Sequence, residues 1–236
     1  MTDLKRLDKR LQAQIACSRR EAEIYITGGW VRVDGEVVEE TQAKVAEEQS
    51  IALDAHAELV QLPPASLMLN KPAGLDSADA VQLITLEHRS AEDVGTRVLK
   101  RHFRHLLPVM PLESAASGLL ILSQDRGFAA HMHEQRDRYE QEFAVEVLGT
   151  LSDEQRLQME RGRGLNEKAP SAIKVSWQSE ARLRIAAKAA QPGQISRLCE
   201  TAGLQVVSLK RLRVGRIPLS RLAPGEWRYL AAHERF

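Results

Sequence analysis

The sequence predicts an α+β protein in which a small mixed head precedes a larger unit built on a mainly antiparallel sheet. Three observations carry that class. Short apolar runs and helical patterns alternate irregularly from Leu67 to Leu230, unlike the regular strand–helix alternation of a parallel, doubly wound sheet. No Gly-x-Gly-x-x-Gly fingerprint and no phosphate-loop motif follows any of the apolar runs. Two dipeptides, Asp34-Gly35 and Ser179-Glu180, each separate a pair of alternating runs and read as turns joining antiparallel neighbours.

Bulk properties bound the rest. The 236 residues are 43% hydrophobic and 28% charged, ordinary for a soluble globular chain of one large or two smaller domains. A net charge of +1 gives no global attraction to nucleic acid, so any polyanion site must be a local patch. Cys17 and Cys199 lie far apart, each in a partly apolar helical context. They fit buried thiols in a reducing compartment, not a disulfide framework or a metal site. No apolar run reaches membrane-spanning length, and the opening Met-Thr-Asp-Leu-Lys-Arg lacks the apolar core of a secretory signal. A cytoplasmic location with no membrane partner is expected.

The head covers residues 1–58. Leu4, Leu7, Leu11 and Ile15 recur at helical spacing, with Lys5, Arg6, Lys9 and Arg10 on the other faces. Ser18-Arg19-Arg20-Glu21 is a capping box that opens a second helix, carrying Ala22, Ile24, Tyr25 and Ile26 and stopped by Gly28-Gly29. Residues 30–33 and 36–38 flank the Asp34-Gly35 turn, and residues 50–53 add a third strand. The two basic helices form a candidate phosphate surface, although helix surfaces are ordinarily charged and residues 36–48 make the segment acidic as a whole. In order and spacing, Leu7-Asp8-Lys9-Arg10-Leu11, Cys17-Ser18-Arg19-Arg20-Glu21-Ala22 and Gly28-Gly29-Trp30-Val31-Arg32-Val33-Asp34-Gly35 resemble the alpha-L RNA-binding module of a ribosomal small-subunit protein and several RNA-modifying enzymes. The resemblance implies that Arg19 and Arg20 meet RNA phosphates, with Lys9, Arg10 and Arg32 on the same module.

Residues 59–66 contain Pro63-Pro64, lack periodicity and read as a linker to a second domain at residues 67–236. Leu67-Met68-Leu69 is a short strand running into Asn70-Lys71-Pro72-Ala73-Gly74, which puts Lys71 on a loop at the strand's edge. Ser77 is placed to cap a helix through Leu86. Residues 91–103 predict another helix, ending in the basic cluster Arg97, Lys100, Arg101, His102, Arg104 and His105, a second candidate phosphate contact. In the stretch 107–125, Glu113 lies on a Pro-broken loop that feeds the continuous apolar run 118–122, a buried strand. Enzymes often place a catalytic acid there; a solvated loop glutamate is the plain alternative. Beyond it the pattern gives a helix at 127–136, a strand at 143–148 and a capping-box helix from Ser152 to about Glu160. A basic turn at 161–164, a strand pair at 172–177 and 181–187, and a helix at 194–202 stopped by Gly203 follow. In the strand 204–214, Val207, Leu209, Leu212 and Val214 are apolar, and Lys210, Arg211 and Arg213 form a basic stripe, a third candidate RNA contact. A turn and a strand through Trp227 close the chain.

Taken in order, Leu69-Asn70-Lys71-Pro72-Ala73-Gly74-Leu75, the run from Pro108 through Glu113 to Leu122, Glu142-Phe143-Ala144-Val145, Gln194-Ile195-Ser196-Arg197-Leu198, Ser208 to Gly215, and Leu222-Ala223-Pro224-Gly225-Glu226-Trp227 resemble the RsuA/RluB/RluE/RluF branch of RNA pseudouridine synthases. The resemblance covers nearly the whole chain and implies that family's synthase domain after the alpha-L module. It also implies isomerisation of a uridine in RNA, ribosomal RNA first, by a monomer without metal or organic cofactor. A uridine in folded RNA must leave its stack to be modified, and an aromatic can then hold the base. By resemblance Phe143 takes that role, Glu113 stands at the catalytic aspartate, and Lys71 and Arg197 support it.

The chain departs from the family where the chemistry is most demanding. Glu113 replaces the aspartate, and Pro111 and Met110 replace the arginine and glycine before it. Gly193-Gln194-Ile195-Ser196-Arg197 stands where the family reads Arg-Gln-Ile-Arg-Arg, and Phe143 replaces the common tyrosine. One methylene moves a carboxylate by about 1 Å, a displacement that can cost roughly a hundredfold in rate. Two expectations follow from that: an RNA pseudouridine synthase with an atypical carboxylate, or a non-catalytic RNA-binding member of the same fold.

Overall fold

The computed structural model describes residues 4–93, 96–162, 171–231 and 233–234. The chain divides into two compact units, Met1–Pro64 with Arg97–His102, and Ala65–Thr96 with Phe103–Phe236.

The first unit holds β1 (Lys5–Arg6), α1 (Leu7–Ile15), α2 (Arg19–Thr27), β2 (Val31–Val33), β3 (Glu36–Val37), β4 (Lys44–Val45) and β5 (Ile51–Leu53). The capping box forms as the sequence requires: Glu21 N donates to Ser18 Oγ at 3.2 Å, and Ser18 N donates to the Glu21 carboxylate at 2.7 Å. Asp34 and Gly35 both take positive φ, 50° and 89°, the conformation a two-residue hairpin turn needs. β2 then pairs antiparallel with both β3 and β5. Leu7, Leu11, Ala22, Ile26 and Val31 are fully buried between helices and hairpin. The first helix is shorter than predicted, because Lys5 and Arg6 pair as a strand with Lys44–Val45 and leave Leu4 53% exposed.

The predicted helix over 91–103 does not form; of its described residues only Lys100–Phe103 close a 3₁₀ turn, and Val94 and Gly95 lie outside the described residues. Tertiary partners take the groups a helix would use. The Glu39 carboxylate accepts from the backbone nitrogens of Lys100 and Arg101 at 3.0 and 3.4 Å. The Arg97 guanidinium lies 3.7 Å from the centre of the Trp30 ring and donates to Gly29 O at 2.6 Å. A segment some forty residues beyond the head therefore completes it.

The second unit contains β6 (Ser66–Lys71), β7 (Leu107–Val109), β8 (Ser117–Ser123), α3 (Arg126–Glu134), β9 (Glu140–Leu148), α4 (Asp153–Glu160), β10 (Ser171–Ser179), β11 (Arg182–Lys188), α5 (Gln194–Thr201), β12 (Gln205–Val214), β13 (Ile217–Pro218) and β14 (Trp227–Tyr229). The sheet runs β10-β11-β9-β12-β8-β6-β14, with β7 beside β8 and β13 beside β12. Among the described strand pairs only β12 and β8 run parallel, at Lys210–Ser117 and Arg211–Gly118. Gly118 has φ +100°, and a Cβ there would overlap the Arg211 carbonyl oxygen and lie 2.8 Å from its nitrogen. Only glycine lets the two backbones approach so closely. One core cluster includes Phe143, Val145, Leu183, Ile195 and Leu198; another includes Met68, Leu119, Ile121, Met132 and Val214. Among the described residues no helix is long and apolar enough to cross a membrane.

The helix expected after Ser77 is a 3₁₀ turn over Asp79–Leu83. Ser77 does not cap it. Its hydroxyl accepts from Leu112 N at 2.8 Å and donates to Leu112 O at 3.0 Å, pinning the residue before Glu113. Of the turn expected at 161–164, residues 163 and 164 lie outside the described residues.

Candidate active site

Three segments converge on the loop that carries Glu113. The loop Pro111-Leu112-Glu113 enters β8, β9 contributes Gln141 and Phe143, the turn before α5 contributes Gln191 and Gly193, α5 contributes Ile195, and β12 contributes Leu209 and Arg211. Together they line a narrow cleft. Glu113 is half-buried, and its Oε1 accepts from Ser196 Oγ at 2.7 Å. A Cβ on Gly193 would lie 3.9 Å from Glu113 Oε2 and 3.7 Å from a terminal nitrogen of Arg197, so carboxylate and guanidinium flank the same glycine. Gly193 is the N-cap of α5 at φ +81° with no side-chain cap. The carboxylate thus sits at a helix N-terminus, where the backbone dipole favours negative charge by about 0.3–1 kcal/mol.

Lys71 is not on a loop at the strand edge, as the sequence suggested, but is the buried last residue of β6. Its ammonium donates to the carbonyls of Pro72, Leu75 and Ser114 at 3.0, 2.6 and 3.2 Å. Burial pulls its pKa down, and the nearby charges of Asp76 and Glu113 oppose that shift. Lys71 therefore ties its own turn, residues 72–75, to the residue after Glu113, and Gly74 N adds a 2.8 Å bond to Ser114 O.

Arg211 is the main correction to the basic stripe. It is 1% exposed and faces the cleft, not solvent. Its Nε donates to Leu119 O at 2.8 Å and its Nη1 to Gln141 Oε1 at 2.9 Å. Nη2 has no acceptor among the described residues. Burial lowers the guanidinium pKa from 12.5 to about 9. Arg211 shares the inward face of Leu209, two residues earlier, and a register shift follows it: Arg211 opposes Phe143 and Arg213 opposes the adjacent Glu142, so Leu212 is an extra residue. The sequence carried a trace of this bulge, since Leu209 to Leu212 breaks the period of two. Phe143 is buried in the larger core cluster and also borders the cleft.

Other expected RNA contacts are differently placed. Arg213 is committed to Glu142 at 2.9 Å and Glu140 at 2.6 Å, and Arg10 to the carbonyls of Ala46, Glu47 and Gln49, so neither guanidinium is presented as a free surface cation. Lys9, Arg19, Arg20 and Arg32 are exposed, with Arg19 paired to Glu23 at 2.9 Å and Arg32 donating to Gly35 O at 2.8 Å. Lys210 and Arg101 are half-buried, and Arg101 donates to Leu62 O at 3.3 Å. Both cysteines are free thiols; burial raises the Cys199 pKa to about 12.

A capped, basic two-helix head and a separate mainly antiparallel sheet with a carboxylate in a narrow cleft define the class of RNA-modifying proteins. Residues 5–51 match the S4 domain. The chain is 30% identical over 235 residues to ribosomal small subunit pseudouridine synthase A of Escherichia coli K12, spanning 97% of each chain. It is 29% identical over 241 residues to ribosomal large subunit pseudouridine synthase B of Bacillus subtilis, spanning 98% of this chain and 94% of the relative. A crystal structure of a pseudouridylate synthase shares the fold with TM-score 0.59 at 20% identity over 96% of each chain. The chain belongs to the RsuA/RluB-type family of RNA pseudouridine synthases.

Proposed function

We propose that the cleft isomerises a uridine of ribosomal RNA to pseudouridine, with Glu113 as the acting carboxylate. The observation that carries this is the 2.7 Å bond from Ser196 to Glu113. Ser196 stands where the family reads a basic residue, one side chain shorter than its usual partner is long. The glutamate is one methylene longer than aspartate. In this chain the longer acid meets a short neutral donor. A hydrogen bond to a charged group contributes about 1.5–3 kcal/mol, so Ser196 can hold the carboxylate aimed.

The reaction breaks the bond between ribose C1′ and uracil N1 and forms one from C1′ to C5, the C5 proton leaving and N1 taking one up, so that product and substrate are isomers. Phe143 borders the space an extruded base would occupy. Arg211 Nη2 is presented there for a base carbonyl oxygen, and Arg197 lies at the rim beside Gly193. Lys71 positions the loop. Residues 1–58 act as the RNA-binding module and residues 67–236 as the synthase domain, joined through 59–66, in a cytoplasmic monomer. The relatives named for the small and for the large ribosomal subunit match almost equally, so the family of substrate is ribosomal RNA of either subunit.

The second reading is a non-catalytic RNA-binding protein. The neutral serine at Glu113, in place of a cation, favours it. Release of tritium from ribosomal RNA labelled at uridine C5 separates the two. The unsubstituted protein is expected to turn over, Glu113→Gln to be inactive, and Glu113→Asp to fall roughly a hundredfold because the shorter acid no longer reaches Ser196. Adding Ser196→Arg to Glu113→Asp should recover part of that loss. No release from precursor RNA that the protein binds tightly and salt-dependently would remove the catalytic reading and leave the second.

A further inference from the structure

The head unit contains a cavity of about 370 Å³ unrelated to the Glu113 cleft. It runs along the face of α2 that carries Arg20, Glu23, Ile24 and Thr27, at the helical spacing of one stripe. Residues Val60 to Leu62 form the opposite wall, and Arg101 closes one side. Arg20 and Arg101 are eighty-one positions apart in sequence, and the return of Arg97–His102 to the head brings them to one cavity. The volume lies within the range of small-ligand sites, roughly 300–1,000 Å³.

Charge selects the class of ligand. The acid of the wall, Glu23, is already paired with Arg19 at 2.9 Å. Arg20 is exposed and makes no ion pair or hydrogen bond among those described. The cavity is therefore net basic. Ile24, Val60 and Leu62 give it an apolar wall, and Leu59 and Val60 are 47% and 52% exposed, an unusual amount of open aliphatic surface beside two guanidinium groups. An anionic group attached to a flat apolar body satisfies both halves.

We propose that this cavity takes one unpaired nucleotide of the RNA, its phosphate shared by Arg20 and Arg101 and its base laid against Ile24, Val60 and Leu62. The proposal rests on the RNA-binding reading of the head. It adds a single-strand site, distinct from the backbone contacts that any RNA helix could make with exposed basic residues and from the cleft around Glu113.

The test uses the full chain and two fluorescent probes, a uridine-rich single strand of about 12 nucleotides and a blunt RNA duplex of the same length. Thr27→Phe fills the cavity without removing a charge. It is expected to weaken single-strand binding roughly tenfold and duplex binding less than about twofold. Arg20→Ala and Arg101→Met should each weaken single-strand binding and lower the salt slope by about one. Combined, they should cost less than the product of the separate losses, because both hold one phosphate. Strictly multiplicative losses, or a Thr27→Phe effect that is absent or equal on both probes, overturn the cavity site while leaving the head an RNA binder. Binding of neither probe by the unsubstituted protein overturns the RNA reading of the head as well.

Discussion

The head and the large unit solve the same problem with contacts of different range. In the head, the capping box spans three residues and the hairpin turn two, and each forms where its residue types occur. In the large unit, Glu113 depends on Lys71 and Ser77, on Ser196 and on the crossing of Gly118 with Arg211, which brings in three distant segments. Local structure can be assembled from local chemistry, whereas the site exists only when the sheet is complete. The head keeps two exceptions, the pairing of Lys5–Arg6 with Lys44–Val45 and the Arg97–His102 strap, and both are where the sequence reading fell short there.

The largest expected effect is on the long-range side. Gly118→Ala puts a methyl group against the Arg211 backbone at a φ of +100°. Strain and overlap together should destabilise the large unit by about 4 kcal/mol. A urea titration followed by a probe in each unit should show the large unit's transition moving and the head's staying; a shift below 1 kcal/mol by order of magnitude would mean the crossing yields readily.

The strap of the head comes next. Burial, and then Arg101, hold the His102 imidazole down to about 4 from 6.5. The unfolded chain takes up a proton in that window which the folded chain refuses. Stability is therefore full above pH 6.5 and falls as pH drops toward 4, by up to roughly 3 kcal/mol. His102→Leu should flatten that part of the stability curve. An unchanged curve would show that the imidazole is not held neutral.

Arg211→Met separates architecture from chemistry within the cleft. Removing a buried cation relieves its desolvation but leaves Leu119 O and Gln141 without their donor, so stability should change by less than about 1.5 kcal/mol. Turnover measured by tritium release should fall roughly a hundredfold. A large stability loss with matching loss of activity would make Arg211 structural. The smallest effect is local: Ser18→Ala should cost about 1 kcal/mol in the head and leave the isomerisation rate of RNA-saturated protein unchanged. A changed rate at saturation would show that the two regions are coupled.

The sequence by itself determined the α+β class, both capping boxes, the Asp34-Gly35 turn and the buried strand after Glu113, because each follows from side chains within a few residues of one another. It also located Glu113, Phe143 and the α5 segment, because the order of the motifs survives even where single residues have changed. It misplaced Lys71 and Arg211, since charge in a sequence says solvent unless a fold supplies acceptors, and here three carbonyls receive Lys71 while Leu119 O and Gln141 receive Arg211 on the inward face it shares with Leu209. It predicted a helix where Glu39 instead takes the nitrogens of Lys100 and Arg101. Only the tertiary structure decided that Ser196 meets Glu113, because residues eighty-three positions apart are joined by nothing but the packing of α5 against the sheet.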